Sequence, residues 1–480
     1  MGIFRIDPQK DTTIINSSPT ANTGLSNFID IFARINPSTR KKEYGRGLVK
    51  FAVSSLTAAI NSGNIPNPND NTAVTATLKL FNVNHDQESS ESFNLEIYPL
   101  TQDWDEGNGI DPEFVTTGYA NAVSAKSTAA WTVSGGTYAT DSNSGSQSFD
   151  KGFEHLSVNV TSLVKDWVSG VSSDYGVLIK HTEEEECATA SSSGINYNLK
   201  RFYSRQTNTY KNPYIQIEWP NEIDDDREAG VEAGSTGALY LYNKIGGKFT
   251  DLSGTGHFPG EISISGFSPT AAPNGGGTSA IFTGLSAERR RIGVYRCVID
   301  TFPLSAAPGD TSFTSYADVW VCSGSLTGHS ASSASAAFTV LKAFPGNSAL
   351  GSLDVRKVKM GVRSFPKEIE QGDIRLLRTF FKEDAGRYTV LTGGSTASTA
   401  LIMKDLRYQI RELYTDEVEV DWQPASRDSL SNYIDLDTSY LHRGVSYKLL
   451  FKFKIDGETQ IIDMSGGTSR NPTLYSFEVM

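Results

Sequence analysis

Cysteine is scarce: Cys187, Cys297 and Cys322 are the three in a chain of 480 residues. So few, so far apart and odd in number, they exclude a disulfide framework, a zinc knuckle and a CxxC redox pair. Long apolar runs are missing as well; no stretch approaches the ~18 residues of a membrane helix. The opening segment MGIFRIDPQKDTTI has no apolar core of signal-peptide length. Myristoylation of Gly2 fails because Ile6 stands where Ser or Thr is required. The expectation is a protein that stays in the cytoplasm until assembly or lysis. Positive charge is in deficit, 43 Lys and Arg against 55 Asp and Glu, which excludes a nonspecific phosphate-binding surface. The formal net charge of -12 suits soluble, mutually repelling particles.

Catalytic signatures are equally sparse. The six histidines (His85, His155, His181, His257, His329, His442) form neither HxH nor HExxH, so zinc hydrolysis lacks its ligand spacing. NKIGGKFT contains a GGK, but Phe249 replaces the Ser or Thr of a phosphate loop and Tyr242 its first Gly. No G-x-S-x-G elbow occurs.

What is present is β pattern. Leu- and Ala-rich helical runs are few against 43 glycines and abundant Ser and Thr, a mix that favours sandwiches with many turns. ATLKLF, FNLEIYPL, HLSVNV and YIQIEW alternate at strand period; Ile215, Ile217 and Trp219 share one face, Gln216 and Glu218 the other. One segment differs. In NVTSLVKDWVSGV, Val160, Leu163, Val164, Trp167 and Val171 fall at helical spacing, with Thr161 or Ser162 as cap and Gly170 as terminator. YGVLIK then returns to strand spacing through Tyr175, Val177 and Ile179.

Pro220 ends a strand, and the acidic run NEIDDDREAGVEAG reads as a solvated linker over 223–235. The β pattern restarts at 236, a second seam falls at 344–352, and the last segment alternates most clearly. There Tyr447, Leu449, Phe451, Phe453 and Ile455 oppose Lys448, Lys452 and Lys454, while Val418, Val420 and Trp422 oppose Glu417, Glu419 and Asp421. The segments 236–348 and 349–480 each suit an immunoglobulin-like sandwich.

Candidate site residues are few. QDWDEGNGID gathers Asp103, Asp105, Glu106 and Asp111 around Trp104. Two carboxylates across a sugar-sized cleft would serve a glycosidase, and Asp103, Asp105 and Asp111 could hold a structural cation such as calcium. A solvated loop is the preferred reading of this stretch, without catalysis or cofactor. TEEEEC reads as an exposed acidic turn, since alternating strand positions cannot aim four glutamates at one ion. Tyr119, Trp131 and Tyr138 lie in a Ser- and Gly-rich insertion where a core is least expected. They could stack on a sugar, anchor a neighbouring subunit or fold back on the sandwich. Arg289, Arg290 and Arg291 form a basic cluster, read as an interface salt bridge rather than a nucleic-acid contact.

DTTIINSSPTANTG, RGLVKFAVSSL, ATLKLF, DWDEGNG, NVTSLVKDWVSG…YGVLIK and KRFYSRQTNTYKNPYIQIEW occur in that order. Together they resemble the DNRLRE family, a jelly-roll module of surface proteins and phage particles, over about residues 7–219. Gln206 follows Arg205 where the family often carries an acidic residue. LIMKDLRYQIRELYTDEVEVDWQPASRD and the strand-rich stretch from NYIDLDTSY onward are similar to terminal domains of structural proteins in marine T4-like tailed phages. The resemblances imply an all-β chain: a jelly roll with one short helix over 1–222, the linker, and two immunoglobulin-like sandwiches. They also imply a non-enzymatic virion component of the neck, collar, tail or baseplate. Its partners would be other virion proteins and copies of itself in a symmetric ring, not nucleic acid or membrane. A carbohydrate-binding protein recognising host-surface polysaccharide through Trp104, Trp131 or nearby tyrosines is the alternative, and a polysaccharide-degrading enzyme the third reading.

Overall fold

Period-2 patterning becomes paired strands throughout a computed structural model of the chain. It describes residues 2–36, 38–70, 73–84, 92–113, 119–187, 197–227, 231–232, 236–246, 248–252, 261–267, 278–300, 315–321, 333–338, 340–341, 358–383, 402–428, 430–455, 458–463 and 475–480. Two compact units emerge, Gly2–Pro220 and Asn221–Met480.

The first unit begins with β1 (Gly2–Ile6), β2 (Pro8–Ile15), β3 (Phe28–Ile35), β4 (Lys42–Phe51) and helix α1 (Val53–Asn61). β5 (Thr75–Leu80), β6 (Phe93–Pro99), the ribbon β7 (Ser124–Lys126) and β8 (Ala129–Ala130), β9 (Gly145–Phe149) and β10 (Leu156–Asn159) follow. Helix α2 (Thr161–Ser169), β11 (Val177–His181), helix α3 (Glu183–Cys187), β12 (Tyr197–Tyr203) and β13 (Tyr214–Trp219) complete it. One sheet has the order β1-β13-β5-β10; the other runs β12-β3-β4-β11-β6-β9, with β2 also paired to β4. Count β1, β4, β5, β6, β9, β10, β11 and β13 as strands 1 to 8 in chain order. The sheets then read 1-8-3-6 and 2-7-4-5, the interleaved Greek keys of a jelly roll. Leu78, Leu156, Ile215 and Ile217 of the first sheet bury against Val49, Ile97, Val177 and Phe202 of the second.

Among the described residues, three helices stand where one was expected. α1 buries only Val53 and Leu56, too little periodicity to separate it from the strand before it. α2 sends Leu163, Val164 and Trp167 into the core, each contributing roughly 2 kcal/mol before entropy. Its start is not capped as expected: Val160 holds the N-cap position, and the Thr161 hydroxyl accepts from the Ala76 amide at 2.8 Å instead. Gly170 does end the helix, at φ +76°. Val171 therefore lies beyond the helix and is 78% exposed.

β11 is buried on both faces, not alternately. Leu178 packs outward with Ile14 and Leu48 under a second layer formed by Trp104, Ala120, Ala125 and Trp131. The insertion expected to lack a core thus covers the outer face of the larger sheet.

In Asn221–Met480 one pairing scheme appears twice. Thr236–Tyr242 pairs with Val294–Asp300; Glu261–Phe267 lies between Thr278–Leu285 and Ser315–Val321, which pairs onward to Ser333–Phe338. Val231–Glu232 runs parallel to Val340–Leu341. Likewise Ile374–Glu383 pairs with Asn432–Asp437; Arg407–Glu412 lies between Val418–Pro424 and Ser446–Ile455, which pairs onward to Glu458–Asp463. Glu368–Ile369 runs parallel to Ser476–Val479. Both sets follow immunoglobulin-like sandwich pairing, with a short first strand parallel to the last. Tyr447, Leu449, Phe451 and Phe453 all face inward, as their alternation with lysines predicts.

The described start of the acidic run, 223–227, is not a solvated linker. Ile223, Asp225 and Asp226 are buried. The Asp226 amide bonds the Ala238 carbonyl at 3.0 Å, and Ile223 packs with Tyr240, Val294 and Tyr433. Arg427, from far along the chain, bonds Asp226, and Arg227 lies 3.8 Å from Asp225, so burial costs less than the isolated carboxylates suggest. The seam expected at 344–352 lies outside the described residues.

Candidate functional site

DWDEGNG forms a loop after β6, and its side chains go in three directions. Asp103 takes Lys126 Nζ at 2.5 Å on one oxygen, and Lys10 and Lys50 Nζ at 3.2 and 3.9 Å on the other. Burial pushes its carboxyl up, but hydrogen bonds from Lys126 and Lys10 outweigh that and hold it at about 2. Trp104 is fully buried; its Nε1 donates to the Tyr175 carbonyl at 2.9 Å, and the Lys10 ammonium sits 4.8 Å over its ring while bonding the Trp104 carbonyl. Asp105 is fixed through its backbone, whose N–H and C=O bond Ala125 and Ala120.

Glu106 turns the other way, into a network drawn from three distant segments. It accepts from the Asp11 amide at 2.8 Å, from Arg205 Nη2 at 2.6 Å and from Gln206 Nε2 at 3.1 Å. Asp11, buried beside it, accepts from the Arg205 amide at 2.5 Å. Asn22 closes the loop: its Nδ2 donates to the Glu106 and Ala120 carbonyls, and its Oδ1 accepts from the Gly109 amide at 2.8 Å. A Cβ at Gly109 would lie 1.9 Å from the Asn22 carbonyl oxygen, so only glycine fits. Residues of DTTIINSSPTANTG, DWDEGNG and KRFYSRQTN, remote in sequence, therefore share one buried junction.

Asp111 lies in an exposed turn and caps the Glu113 amide at 2.9 Å. Asp103, Asp105 and Asp111 are thus not assembled into a cation site. Among the described residues, no group of three or more His, Cys, Asp and Glu side chains is placed to hold a metal. Nor does the carboxylate set span a cleft. Asp103 faces lysines, and Glu106 faces Arg205.

The aromatic candidates are mostly interior. Trp131 is buried with its Nε1 on the Asn121 carbonyl at 2.8 Å, so neither tryptophan offers a face to a sugar. Tyr138 is half-buried, 5.0 Å from the Tyr98 ring and beneath the Arg46 guanidinium. Tyr119, also half-buried, precedes the packed Ala120. Of the three roles considered for these residues, folding back on the sandwich describes Trp131 and Tyr138.

TEEEEC is helix α3 rather than an exposed turn. Glu186 is buried between Arg46 and Lys180, and Glu185 bonds His181 Nδ1 at 3.1 Å. Sequence reasoning missed this because the cationic partner Arg46 lies in β4. In the second unit the arginine cluster is spent internally. Arg289 grips Asp251 through two bonds of 2.9 and 2.8 Å, Arg290 contacts Glu288 and Glu222, and Arg291 reaches Asp435 at 3.1 Å. Cys297 is buried, and burial pushes its thiol up to about 11. Among the described residues, no helix is long and apolar enough to cross a membrane.

No family model matches the chain, and no curated protein matches it. Among solved structures it is similar to the fibronectin(III)-like modules of Clostridium thermocellum CbhA, at 10% identity over 50% of this chain and 87% of that one, TM-score 0.14. It is also similar to titin A168169, at 8% identity over 52% and 92% of the two chains, TM-score 0.14. A third is the N-terminal four Ig domains of Dscam1 isoform 4.4, at 9% identity over 52% and 41%, TM-score 0.13. The jelly-roll and immunoglobulin-like pairings stand on the strand order of the chain itself.

Proposed function

We propose that the chain is a non-enzymatic structural component of a tailed-phage particle, built from a DNRLRE-like jelly roll and two immunoglobulin-like sandwiches. It acts by docking rigid β modules onto repeated neighbours in the neck, collar, tail or baseplate. The observation that carries this reading is a set of outward apolar side chains in Asn221–Met480. Among the described residues, Ile374–Glu383 pairs with Val358–Val362 only from Thr379 onward. Ile374 and Leu376 are 67% and 52% exposed on its leading end, and Tyr414 is 84% exposed on another turn of the same unit. Apolar side chains left in water on a paired strand, and an aromatic one on a turn, suit a protein interface.

The jelly-roll order and the junction of Asp11, Asn22, Glu106 and Arg205 support the DNRLRE resemblance, because the strings that carry it meet there. The glycan-binding alternative loses its tryptophan platforms to the core. Mass spectrometry of gradient-purified virions tests the proposal: the protein is expected among the particle components, and its absence from them overturns the reading. A glycan array run beside it is expected to show no Trp131-dependent binding.

A further inference from the structure

Lys200, on β12, is fully buried yet has no carboxylate within salt-bridge distance among the described residues. Its Nζ donates to Asn82 Oδ1 at 2.7 Å and to the Gly152 carbonyl at 2.8 Å. The Phe149 and Phe202 rings lie 4.9 and 5.3 Å from the same nitrogen. Asn82 is itself buried just past β5, where it bridges to Phe202; its Nδ2 is held by Asn84 Oδ1 at 3.1 Å, leaving the amide carbonyl turned to the lysine. Glu154 stands two residues beyond Gly152, with Oε2 buried and lacking a hydrogen-bond partner among the described residues. An amine and a carboxamide thus meet among aromatic rings, with the Glu154 carboxylate beyond salt-bridge distance of the ammonium but near enough to act on its charge.

We propose that Lys200 and Asn82 form an intramolecular isopeptide bond with Glu154 as proton carrier. The neutral Nζ amine attacks Asn82 Cγ; a C–N bond forms and the carbonyl π pair moves onto Oδ1. Glu154 takes a proton from Nζ and delivers it to Nδ2, and the Cγ–Nδ2 bond breaks to release ammonia. Amine plus carboxamide gives a secondary amide plus ammonia, with no oxidant, metal or cofactor required. Two physical conditions favour the step. Burial lowers the Lys200 ammonium to about 8, so a neutral amine is accessible near physiological pH. The fold also holds together two groups 118 residues apart in sequence, replacing a bimolecular encounter by a positioned one. The product would tie the strand end after β5 in one sheet to β12 in the other, a covalent clamp across the sandwich.

The inference rests on the jelly-roll interior and stands whether or not the protein is a particle component. Intact-mass spectrometry of the purified full chain, followed by tryptic mapping, tests it. The expected result is a mass short by one ammonia, with a branched peptide joining Asn82 to Lys200. A full-length mass with an unmodified Lys200 peptide overturns the bond. Loss of ammonia mapped to any other residue overturns it equally. Glu154→Gln is expected to leave most of the folded protein uncrosslinked; branched peptide at the wild-type yield in that variant overturns the role given to Glu154. Because the wild-type map decides the bond by itself, a variant that fails to fold does not shield the proposal.

Discussion

Arg46 and Glu186 meet as a two-pronged ion pair, Nε to Oε1 at 3.1 Å and Nη2 to Oε2 at 2.5 Å, across 140 residues of sequence. Arg46 also donates to the Gly135 carbonyl at 2.8 Å, which ties the covering layer over the larger sheet to β4. Glu186→Ala would leave two buried cations, Arg46 and Lys180, without this partner. Removing one member of such a pair costs about 3–5 kcal/mol, largely from the charge left behind. Glu184→Ala, on the exposed side of the same helix, is expected within ~0.5 kcal/mol of wild type. Urea unfolding of the two variants measures both, and equal losses would refute the pairing argument.

The Asp11 carboxyl gives a pH dependence of defined sign. Burial pushes it up to about 7; the Arg205 amide bond opposes the shift, Glu106 adds to it, and the Arg205 charge opposes it. The folded state therefore keeps a proton that the unfolded chain releases near pH 4. Stability from this group is complete below the unfolded value and is lost as pH rises through about 7, an effect on the order of a few kcal/mol at most. Asp174 and Asp225, each pushed up to about 6 by burial, slope the same way. Subtracting the urea midpoints of Asp11→Asn from wild type at about pH 5 and about pH 8 isolates Asp11. The variant is expected to lose less stability on going to the higher pH.

Much of the architecture was legible because alternation obeys the pleat: Ile215 and Ile217 bury together, as do Leu449 and Phe451. Its failures have one physical cause. Leu178, Asp226 and Glu186 each break the local rule, and each is satisfied by a group far along the chain: Trp104 with Trp131, Arg427, and Arg46. Local period reports one face of an element and is silent about what later covers the other. The candidate site was misread for the same reason. DWDEGNG looks like a solvated acidic loop until Lys10, Lys126 and Arg205 arrive to neutralise it. Its glycines were the readable sign, since two in three residues mark a close backbone approach.

Gly109 and Gly170 separate two reasons for glycine. At Gly170 the space is open, and alanine suffers only from φ +76°, about 1–2 kcal/mol. At Gly109 an added methyl meets the Asn22 backbone, which cannot swing aside, so Gly109→Ala is expected to cost more, toward the ~3 kcal/mol end of overpacking. Thermal unfolding of the two variants ranks them. A Gly109 variant as stable as the Gly170 one would mean that the Asn22 junction is loose.

Arg427 decides whether the acidic run is structure or tether. Its guanidinium bonds Asp226 Oδ1 at 2.5 Å and contacts Asp224, while its amide donates to the Ile223 carbonyl at 2.7 Å. Asp226 is buried and Asp224 half-exposed, so loss of that guanidinium falls mainly on Asp226. Arg427→Ala is therefore expected to destabilise Asn221–Met480 by about 3–5 kcal/mol and to open the 223–227 stretch to amide exchange. Asp226→Asn should cost less, because an amide can still accept from the arginine. A double-mutant cycle between Arg427→Ala and Asp226→Ala should return a coupling of about 1 kcal/mol or more. Additive losses, with unchanged exchange at 223–227, would show the run to be a tether after all.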